Sequence, residues 1–153
     1  MKKLFFIVLT LLFTGPIFSQ WVTKVVDNQL DEPYRIAYCL TKSQRAILKM
    51  ESAPGIIALY ITGSYFCDES PVVDLAFVVN GVSKKFSLLG LKSNDSRTIF
   101  LYDNLLDPDN VEILQNFKKC SSIIIRINES HCTSEFHTFN MAGSSSAVEF
   151  MSK

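Results

Sequence analysis

Two apolar runs flanking Asn80-Gly81 constrain the fold of this chain more than any other feature of its sequence. The run VVDLAFVVN (72–80) carries its apolar residues at every second position, which is the period of a half-buried strand. Asparagine followed by glycine accepts the positive φ angles of a type I′ turn, the turn that reverses a chain within a hairpin. The sequence therefore predicts that residues 82–91 fold back antiparallel on residues 72–80.

Similar strand patterns fill most of the remaining chain. They are rich in β-branched residues or alternate apolar with polar side chains, and they cover residues 21–27, 34–40, 44–51, 56–66, 97–103, 121–129 and 136–141. Many short strands separated by turn signals are typical of a two-layer or closed all-β fold. We expect a mainly β protein, either an antiparallel β-sandwich or an open barrel.

Two short helices are predicted to accompany these strands. Asp107-Pro108 fits an N-cap followed by proline at the first helical position, so one helix is inserted between two late strands. A second, C-terminal helix begins within residues 144–146, where Ser146 and Glu149 fit a capping box.

The N-terminus has the pattern of a secretory signal peptide. Lys2 and Lys3 precede an apolar stretch of about ten residues, and Gly15-Pro16 interrupts that stretch before Ser19. A membrane span needs about 20 consecutive apolar residues, so cleavage after Ser19 is favoured over an uncleaved anchor. We predict a signal peptide over residues 1–19, a single domain over residues 20–153, and an exported protein without a membrane span, periplasmic or secreted from a bacterium.

The charge of the predicted mature chain argues against nucleic acid as a partner. The whole chain has fifteen basic and fifteen acidic residues, and cleavage removes Lys2 and Lys3 but no acid, which leaves a formal charge near −2. Nucleic-acid binding depends on basic patches, whereas the basic residues here are single or in the pairs Lys84-Lys85 and Lys118-Lys119.

All four cysteines lie after the predicted cleavage site, and an even number of cysteines in an exported chain predicts disulfides. We favour Cys67 with Cys132, because each follows a strand and enters an acidic, turn-like segment. Cys39 with Cys120 then follows by elimination, although Cys39 equally fits a free buried thiol within a strand.

The motifs that resemble chemical sites have simpler structural interpretations. Residues 143–147 resemble a nucleophile elbow, but only six residues follow them and none is histidine, so a helix start is favoured. His131, Cys132 and His137 match no common zinc spacing. Asp107 and the residues after it lack the ligands and the glycine of an EF-hand loop. We therefore predict no catalytic residue, no metal and no cofactor.

Two groups of residues are candidates for binding a partner. The first comprises aromatic side chains predicted to share one face of the sheet, opposite Leu59 and Leu101: Tyr60, Phe66, Phe100 and Tyr102. Exposed aromatic side chains on a sheet favour a binding surface, whereas a second layer over that face would bury them. The second group is the acidic edge that a Cys67–Cys132 disulfide would create from Asp68, Glu69 and Glu129, which suits a basic target.

The segments WVTKVVD (21–27) and FNMAGSSSAVEFM (139–151) resemble the ends of small exported bacterial β-proteins related to invasion-associated locus B. In that family a late strand runs into a Gly-x-x-x-Ala stretch that begins the closing helix, and Gly143 and Ala147 match it. The resemblance implies a binding or stress-related role at the envelope, and the family has no established catalytic residues.

The sequence as a whole predicts an exported, non-enzymatic binding module whose partner is a protein or another component of the bacterial envelope. The alternative is a periplasmic or secreted inhibitor or immunity-type protein that blocks a hydrolase or toxin. Its loops would be residues 68–71 and 128–132.

Overall fold

The computed structural model describes residues 21–27, 32–63 and 65–153. The predicted signal peptide over residues 1–19 lies outside the described residues. All secondary structure and contacts given below refer to the described ranges.

Ten strands form two antiparallel sheets, as predicted for a β-sandwich. They are β1 (Val22–Val26), β2 (Tyr34–Leu40), β3 (Ile47–Ala53), β4 (Ile56–Thr62), β5 (Val72–Val79), β6 (Val82–Leu89), β7 (Leu91–Lys92), β8 (Thr98–Tyr102), β9 (Ser122–Asn128) and β10 (Glu135–Asn140). The larger sheet has the order β1-β2-β3-β4-β8-β7, and the smaller sheet has the order β10-β9-β5-β6. The predicted fold class is therefore confirmed.

The hairpin predicted at Asn80-Gly81 joins β5 to β6. Both turn residues have positive φ angles, 51° for Asn80 and 79° for Gly81. Val79 and Val82 pair directly across the turn, so the register of this hairpin is set by the two-residue loop. The predicted strand 82–91 is divided, however, because the chain leaves the smaller sheet after Leu89.

Gly90 is the point at which the chain crosses from the smaller sheet to the larger one. It is buried, and its N–H donates a 2.9 Å hydrogen bond to the carbonyl of Pro71. A Cβ atom at this position would lie 2.4 Å from Cγ2 of Ile99 and 3.1 Å from Cγ2 of Val73. Glycine is needed here because the backbone passes between side chains of both sheets.

The inward faces of the two sheets form one apolar core. Leu48 and Leu59 from the larger sheet and Leu75 and Ile125 from the smaller sheet are completely buried. Alternate residues of each strand point into this core, which is the arrangement that period-two patterns predict.

The inserted helix begins as predicted at Asp107-Pro108. The Asp107 side chain accepts a 2.9 Å hydrogen bond from the N–H of Asp109, and one 3-10 turn (Pro108–Asn110) leads into α1 (Val111–Lys119). Asp107 therefore caps the first turn, in agreement with its predicted role.

The C-terminal helix α2 (Ser144–Met151) starts earlier than the predicted capping box. Gly143, with φ at 87°, precedes the helix, and its carbonyl accepts the N–H of Ala147 at 3.0 Å. Ser146 is therefore inside the helix, and the prediction that it caps the N-terminus is wrong. Ser144 instead donates its hydroxyl to the carbonyl of Phe117 at 2.8 Å, which ties α2 to α1.

Both helices contribute to the same core as the sheets. Helix α2 contacts α1 and the strands β1, β2 and β3, and Ala147 and Val148 belong to the core cluster. The guanidinium of Arg35, on the inward face of β2 with Ala37, lies 5.8 Å from the ring centre of Phe150. Helix α2 thus packs on the inward face of β1–β3, and α1 packs against α2 and β5.

Candidate functional site at the stapled loops and the outer sheet face

A disulfide joins Cys67 to Cys132, as predicted, with their Cα atoms 6.1 Å apart. Cys67 lies in the segment before β5, and Cys132 lies in the connection between β9 and β10. The disulfide therefore holds together two loops at one end of the strands β5 and β9, which are neighbours in the smaller sheet. We call residues 67–71 and 128–132 the stapled loops.

Cys39 and Cys120 do not form the second disulfide that elimination suggested. Both are free and buried in the core, which agrees with the alternative interpretation of Cys39 as a free thiol. Burial raises the pKa of Cys120 to about 11 and raises the pKa of Cys39 well above its ordinary value, with a smaller contribution from Cys120 nearby. These thiols behave as small apolar side chains.

Glu129 fastens the two stapled loops to each other from the inside. Its Oε2 atom accepts hydrogen bonds from the backbone N–H groups of Cys67 and Asp68, the latter at 3.0 Å. Among the described residues no group bonds its Oε1 atom, which is buried. A carboxylate oxygen of Glu129 also lies within 4.8 Å of both disulfide sulfur atoms.

Asp68 makes the reciprocal connection in the other direction. Its Oδ2 atom accepts hydrogen bonds from the N–H of Ser130 at 2.6 Å and from the Ser130 hydroxyl at 2.8 Å. Its Oδ1 atom lies 2.7 Å from Nδ1 of His131. These hydrogen bonds, with that from the Ser130 N–H contributing most, lower the pKa of Asp68 to about 2.

The contact between Ser130, His131 and Asp68 contains the residue types of a hydrolytic triad but has different geometry. A triad histidine uses one ring nitrogen for the serine and the other for the carboxylate. Here Nδ1 of His131 is 2.7 Å from Asp68 and 3.1 Å from the Ser130 hydroxyl, so one nitrogen faces both groups. Ionised Asp68 offers only lone pairs, so Nδ1 carries the proton and cannot accept a proton from Ser130. This arrangement orients the loop and does not activate the serine.

Lys92 lies beneath the stapled loops as a nearly buried cation. Its side chain is 9% exposed, and its Nζ atom donates to the carbonyl of Cys67 at 3.1 Å. The same atom is 2.8 Å from Oε1 of Glu69, whose side chain is 82% exposed. The hydrogen bond with Glu69 raises the pKa of Lys92, so the ammonium stays charged over the physiological range.

The structure thus brings the predicted acidic edge together but uses its members differently. The carboxylates of Asp68 and Glu129 accept hydrogen bonds that join the two loops. Of the three carboxylates, only that of Glu69 projects into solvent, and the side chain of His131 is equally exposed. The edge presents one carboxylate and one imidazole on a fixed backbone, not three free carboxylates.

The predicted aromatic surface is divided between the two faces of the larger sheet. Tyr60 and Phe100 share the outer face, with ring centres 5.5 Å apart. Tyr60 is only 6% exposed, however, so the prediction that it is an exposed binding residue is wrong, and Phe100 alone is exposed there. Phe66 is completely buried in the core, so its assignment to a binding surface is wrong. Tyr102 packs against the core, because a bulge between Leu59 and Tyr60 shifts the register and places Tyr102 opposite Leu59.

One row of side chains crosses all six strands of the larger sheet on its outer face. Successive cross-strand pairs define this outer row, which consists of Val22, Tyr38, Lys49, Tyr60, Phe100 and Leu91. Val22, Phe100 and Leu91 remain exposed by 42%, 41% and 61%. Tyr60, near the centre of the row, is buried, so the exposed apolar side chains lie at the two ends of the row. Exposed large apolar side chains grouped on one sheet face favour an interaction surface.

The centre of the outer row is electrostatically neutral and rigid. Lys49 forms an ion pair with Glu51, and its Nζ atom lies 5.1 Å from the ring centre of Tyr60. Burial, together with a hydrogen bond to Glu51, raises the pKa of the Tyr60 hydroxyl above its ordinary value. The row therefore offers apolar ends around a polar centre whose charges neutralise each other.

The alternative metal cluster of His131, Cys132 and His137 is not assembled. Nε2 of His137 lies 2.8 Å from a carboxylate oxygen of Glu135, between the sheets. In the described part of the chain, the one group with metal-ligand spacing is Cys67, Glu129 and Cys132, whose two sulfur atoms are bonded to each other.

No protein-family model, curated protein or solved structure matches this chain. Within the described ranges, neither helix combines the length and hydrophobicity that a bilayer span requires.

Sequence reasoning missed several residues of both surfaces. Tyr38 and Leu91 belong to the outer row only through strand register, and a single sequence does not specify which strands pair. Lys92 lies next to Cys67 because the chain crosses between the sheets at Gly90. No local sequence pattern predicts this crossing. Ser130 could have been noticed, since it directly precedes His131 in a predicted loop.

Proposed function

We propose that this chain is an exported, non-enzymatic binding module of the bacterial envelope, and that the outer row carries the partner. The observation that supports this proposal is the in-register row from Val22 to Leu91, which leaves large apolar side chains exposed at both of its ends. Burial of such side chains against a partner is favourable by about 25 cal/mol for each Å² removed from water. The implied family of exported β-proteins has a role of the same general kind.

Charge neutrality supports a partner that is bound by shape and apolar contact. Lys49 and Glu51 already satisfy each other, so the centre of the row needs no counter-charge from the partner. Interfaces of this kind combine aromatic side chains with few unpaired charges at their centre.

The test compares two matched pairs of exposed apolar residues. The variant Phe100→Ser/Leu91→Ser alters the outer row, whereas Phe136→Ser/Leu89→Ser alters the outer face of the smaller sheet, where exposure is 64% and 71%. Each immobilised protein is incubated with solubilised envelope, and the dissociation constant of the retained stoichiometric partner is measured.

We expect the outer-row variant to weaken binding at least tenfold, about 1.4 kcal/mol, and the control variant to bind like the wild type. The proposal fails if the outer-row variant binds normally, or if the control variant alone loses the partner.

A second candidate function is an inhibitor that inserts the stapled loops into a hydrolase or toxin. The observation that favours it is the pair Glu69 and His131, each 82% exposed on a backbone fixed by the disulfide. The variant Glu69→Lys tests this function, with Glu149→Lys on the exposed side of α2 as its control. An inhibitor loses affinity only in the first variant, whereas a partner bound at the outer row is retained by both.

A further inference from the structure

The Cys67–Cys132 disulfide is approachable from one side. Within the stapled loops Cys132 is exposed, whereas Cys67 is half-buried. Thiol–disulfide exchange proceeds by attack of a thiolate on a sulfur atom, so access decides which sulfur is attacked. An incoming thiolate therefore reaches Cys132, and Cys67 becomes the leaving group.

An ammonium group contacts the backbone of the cysteine that would leave. Nζ of Lys92 donates to the carbonyl of Cys67 at 3.1 Å, and its side chain is almost fully removed from solvent. A neighbouring ammonium group favours the thiolate form of cysteine, and a leaving thiol of lower pKa departs faster. Lys92 therefore assists cleavage of the bond at Cys67.

A carboxylate with a spare oxygen lies against the same two sulfur atoms. Glu129 approaches both of them within 4.8 Å, and its Oε1 atom is buried without a hydrogen bond from any described residue. A buried acceptor left unsatisfied costs free energy, and the two anchored N–H groups bond only the Oε2 atom of Glu129. A carboxylate at this position can carry a proton to or from a cysteine thiol.

We propose that Cys67–Cys132 is a thiol–disulfide exchange site that accepts two electrons from a dithiol. This inference goes beyond the proposed binding function, because it assigns redox chemistry to the stapled loops. Cys132 is the attacked sulfur, Lys92 stabilises the departing Cys67 thiolate, and Glu129 relays protons.

The exchange balances in two steps. One thiolate of the dithiol attacks Sγ of Cys132, forming a mixed disulfide, and the electron pair of the broken sulfur–sulfur bond goes to Sγ of Cys67, which takes a proton through Glu129. The second thiolate of the dithiol then attacks the dithiol sulfur of the mixed disulfide, and Cys132 leaves as a thiolate that takes a proton from solvent. The dithiol is oxidised to a disulfide, and the protein holds two thiols.

The test uses the chain purified after export and follows reduction by dithiothreitol. Aliquots are alkylated, and peptide mapping distinguishes Cys67 and Cys132 from the buried Cys39 and Cys120. An exchange site is reduced from the folded state, so its rate is proportional to the dithiothreitol concentration and unaffected by urea below the unfolding transition. A disulfide that reacts only after unfolding accelerates with urea in step with the unfolding equilibrium.

Two pairs of variants test the assigned roles. Lys92→Gln is expected to slow reduction about tenfold, because the leaving thiolate loses its cation, while Lys118→Gln on the exposed side of α1 leaves the rate unchanged. Glu129→Gln is expected to slow reoxidation by oxidised glutathione about tenfold, because Cys67 loses its proton acceptor, while Glu149→Gln on the exposed side of α2 does not.

The proposal is overturned by either of two results. One is urea-dependent reduction of the wild type, which needs no variant to fold. The other is direct reduction of the wild type at rates that neither Lys92→Gln nor Glu129→Gln changes relative to its control.

Discussion

The carboxylate of Glu129 accepts a 3.0 Å hydrogen bond from the backbone N–H of Asp68, across a sequence separation of 61 residues. Asp68 returns the connection by accepting the N–H of Ser130 at 2.6 Å. The two stapled loops therefore hold each other's backbone through carboxylates as well as through the disulfide. This reciprocal bonding explains how two acidic loops lie together without a large repulsion between them.

Removal of the Glu129 carboxylate should weaken the connection between the two stapled loops. We expect Glu129→Ala to lower the free energy of unfolding by about 1–3 kcal/mol, because two partly buried N–H groups lose their acceptor. Urea denaturation measures this change, with Glu149→Ala on the exposed face of α2 as the control, expected within about 0.5 kcal/mol of the wild type. Equal stability of the two variants would show that Glu129 does not anchor the loops.

Loss of the disulfide should destabilise the fold strongly but leave its architecture intact. Closure of a loop with a sequence separation of 65 contributes about 4 kcal/mol in the chain-entropy model, so Cys67→Ser/Cys132→Ser should lose that amount. Denaturation with and without dithiothreitol checks the cause. The reductant should destabilise the wild type and have no effect on the double variant, and an effect on the double variant would contradict this account.

A methyl group at Gly90 should clash where the chain changes sheets. The added Cβ would lie 2.4 Å from Cγ2 of Ile99, so Gly90→Ala should lower the free energy of unfolding by about 1–3 kcal/mol. Ile99→Ala removes the clashing atom, and in that background the same substitution should have a smaller effect. A double-mutant cycle without coupling would refute the steric explanation.

Acid should weaken the stapled loops in a defined pH range. The folded-state pKa of Asp68 is lowered to about 2, below the value of about 3.9 for an unfolded chain, so its stabilising contribution is complete above that value. The contribution is lost as the pH falls through the folded-state pKa. Asp95, whose pKa is also about 2 because the Ser93 hydroxyl and then the Arg97 N–H donate to it, acts in the same direction.

Thermal unfolding between about pH 5 and pH 2 tests this dependence, since this range extends from above the unfolded-chain pKa of about 3.9 down to the folded-state pKa of about 2. The variants Asp68→Asn and Asp95→Asn should each show a smaller loss of melting temperature over that range than the wild type. An identical pH dependence in all three proteins would contradict the assignment.

The parts of the fold that the sequence predicted are those encoded over a few residues. The Asn80-Gly81 hairpin, the cap at Asp107 and the alternation within strands depend on local backbone preferences, and the structure contains all three. The pairing of Cys67 with Cys132 was predictable because both cysteines lie in turn-like segments that follow strands.

The features that the sequence did not predict depend on contacts between distant residues. A bulge in the pairing of β4 with β8 turns the Tyr102 side chain toward the core. Strict alternation of side chains along the strand would predict the opposite face for Tyr102. Cys39 and Cys120 remain thiols because each packs in the core as a small apolar group. The outer row and the position of Lys92 follow from strand order, which is set by the packing of the complete sandwich.

The central claim is that the chain is exported to an oxidising space and works there with one disulfide joining its loops. Intact-mass measurement of the protein recovered outside the cytoplasm tests it directly, with alkylation before and after unfolding. The account predicts an N-terminus at Gln20, one disulfide, and two thiols, Cys39 and Cys120, that react only after unfolding. A chain that stays in the cytoplasm with Met1 and four reduced cysteines would contradict it.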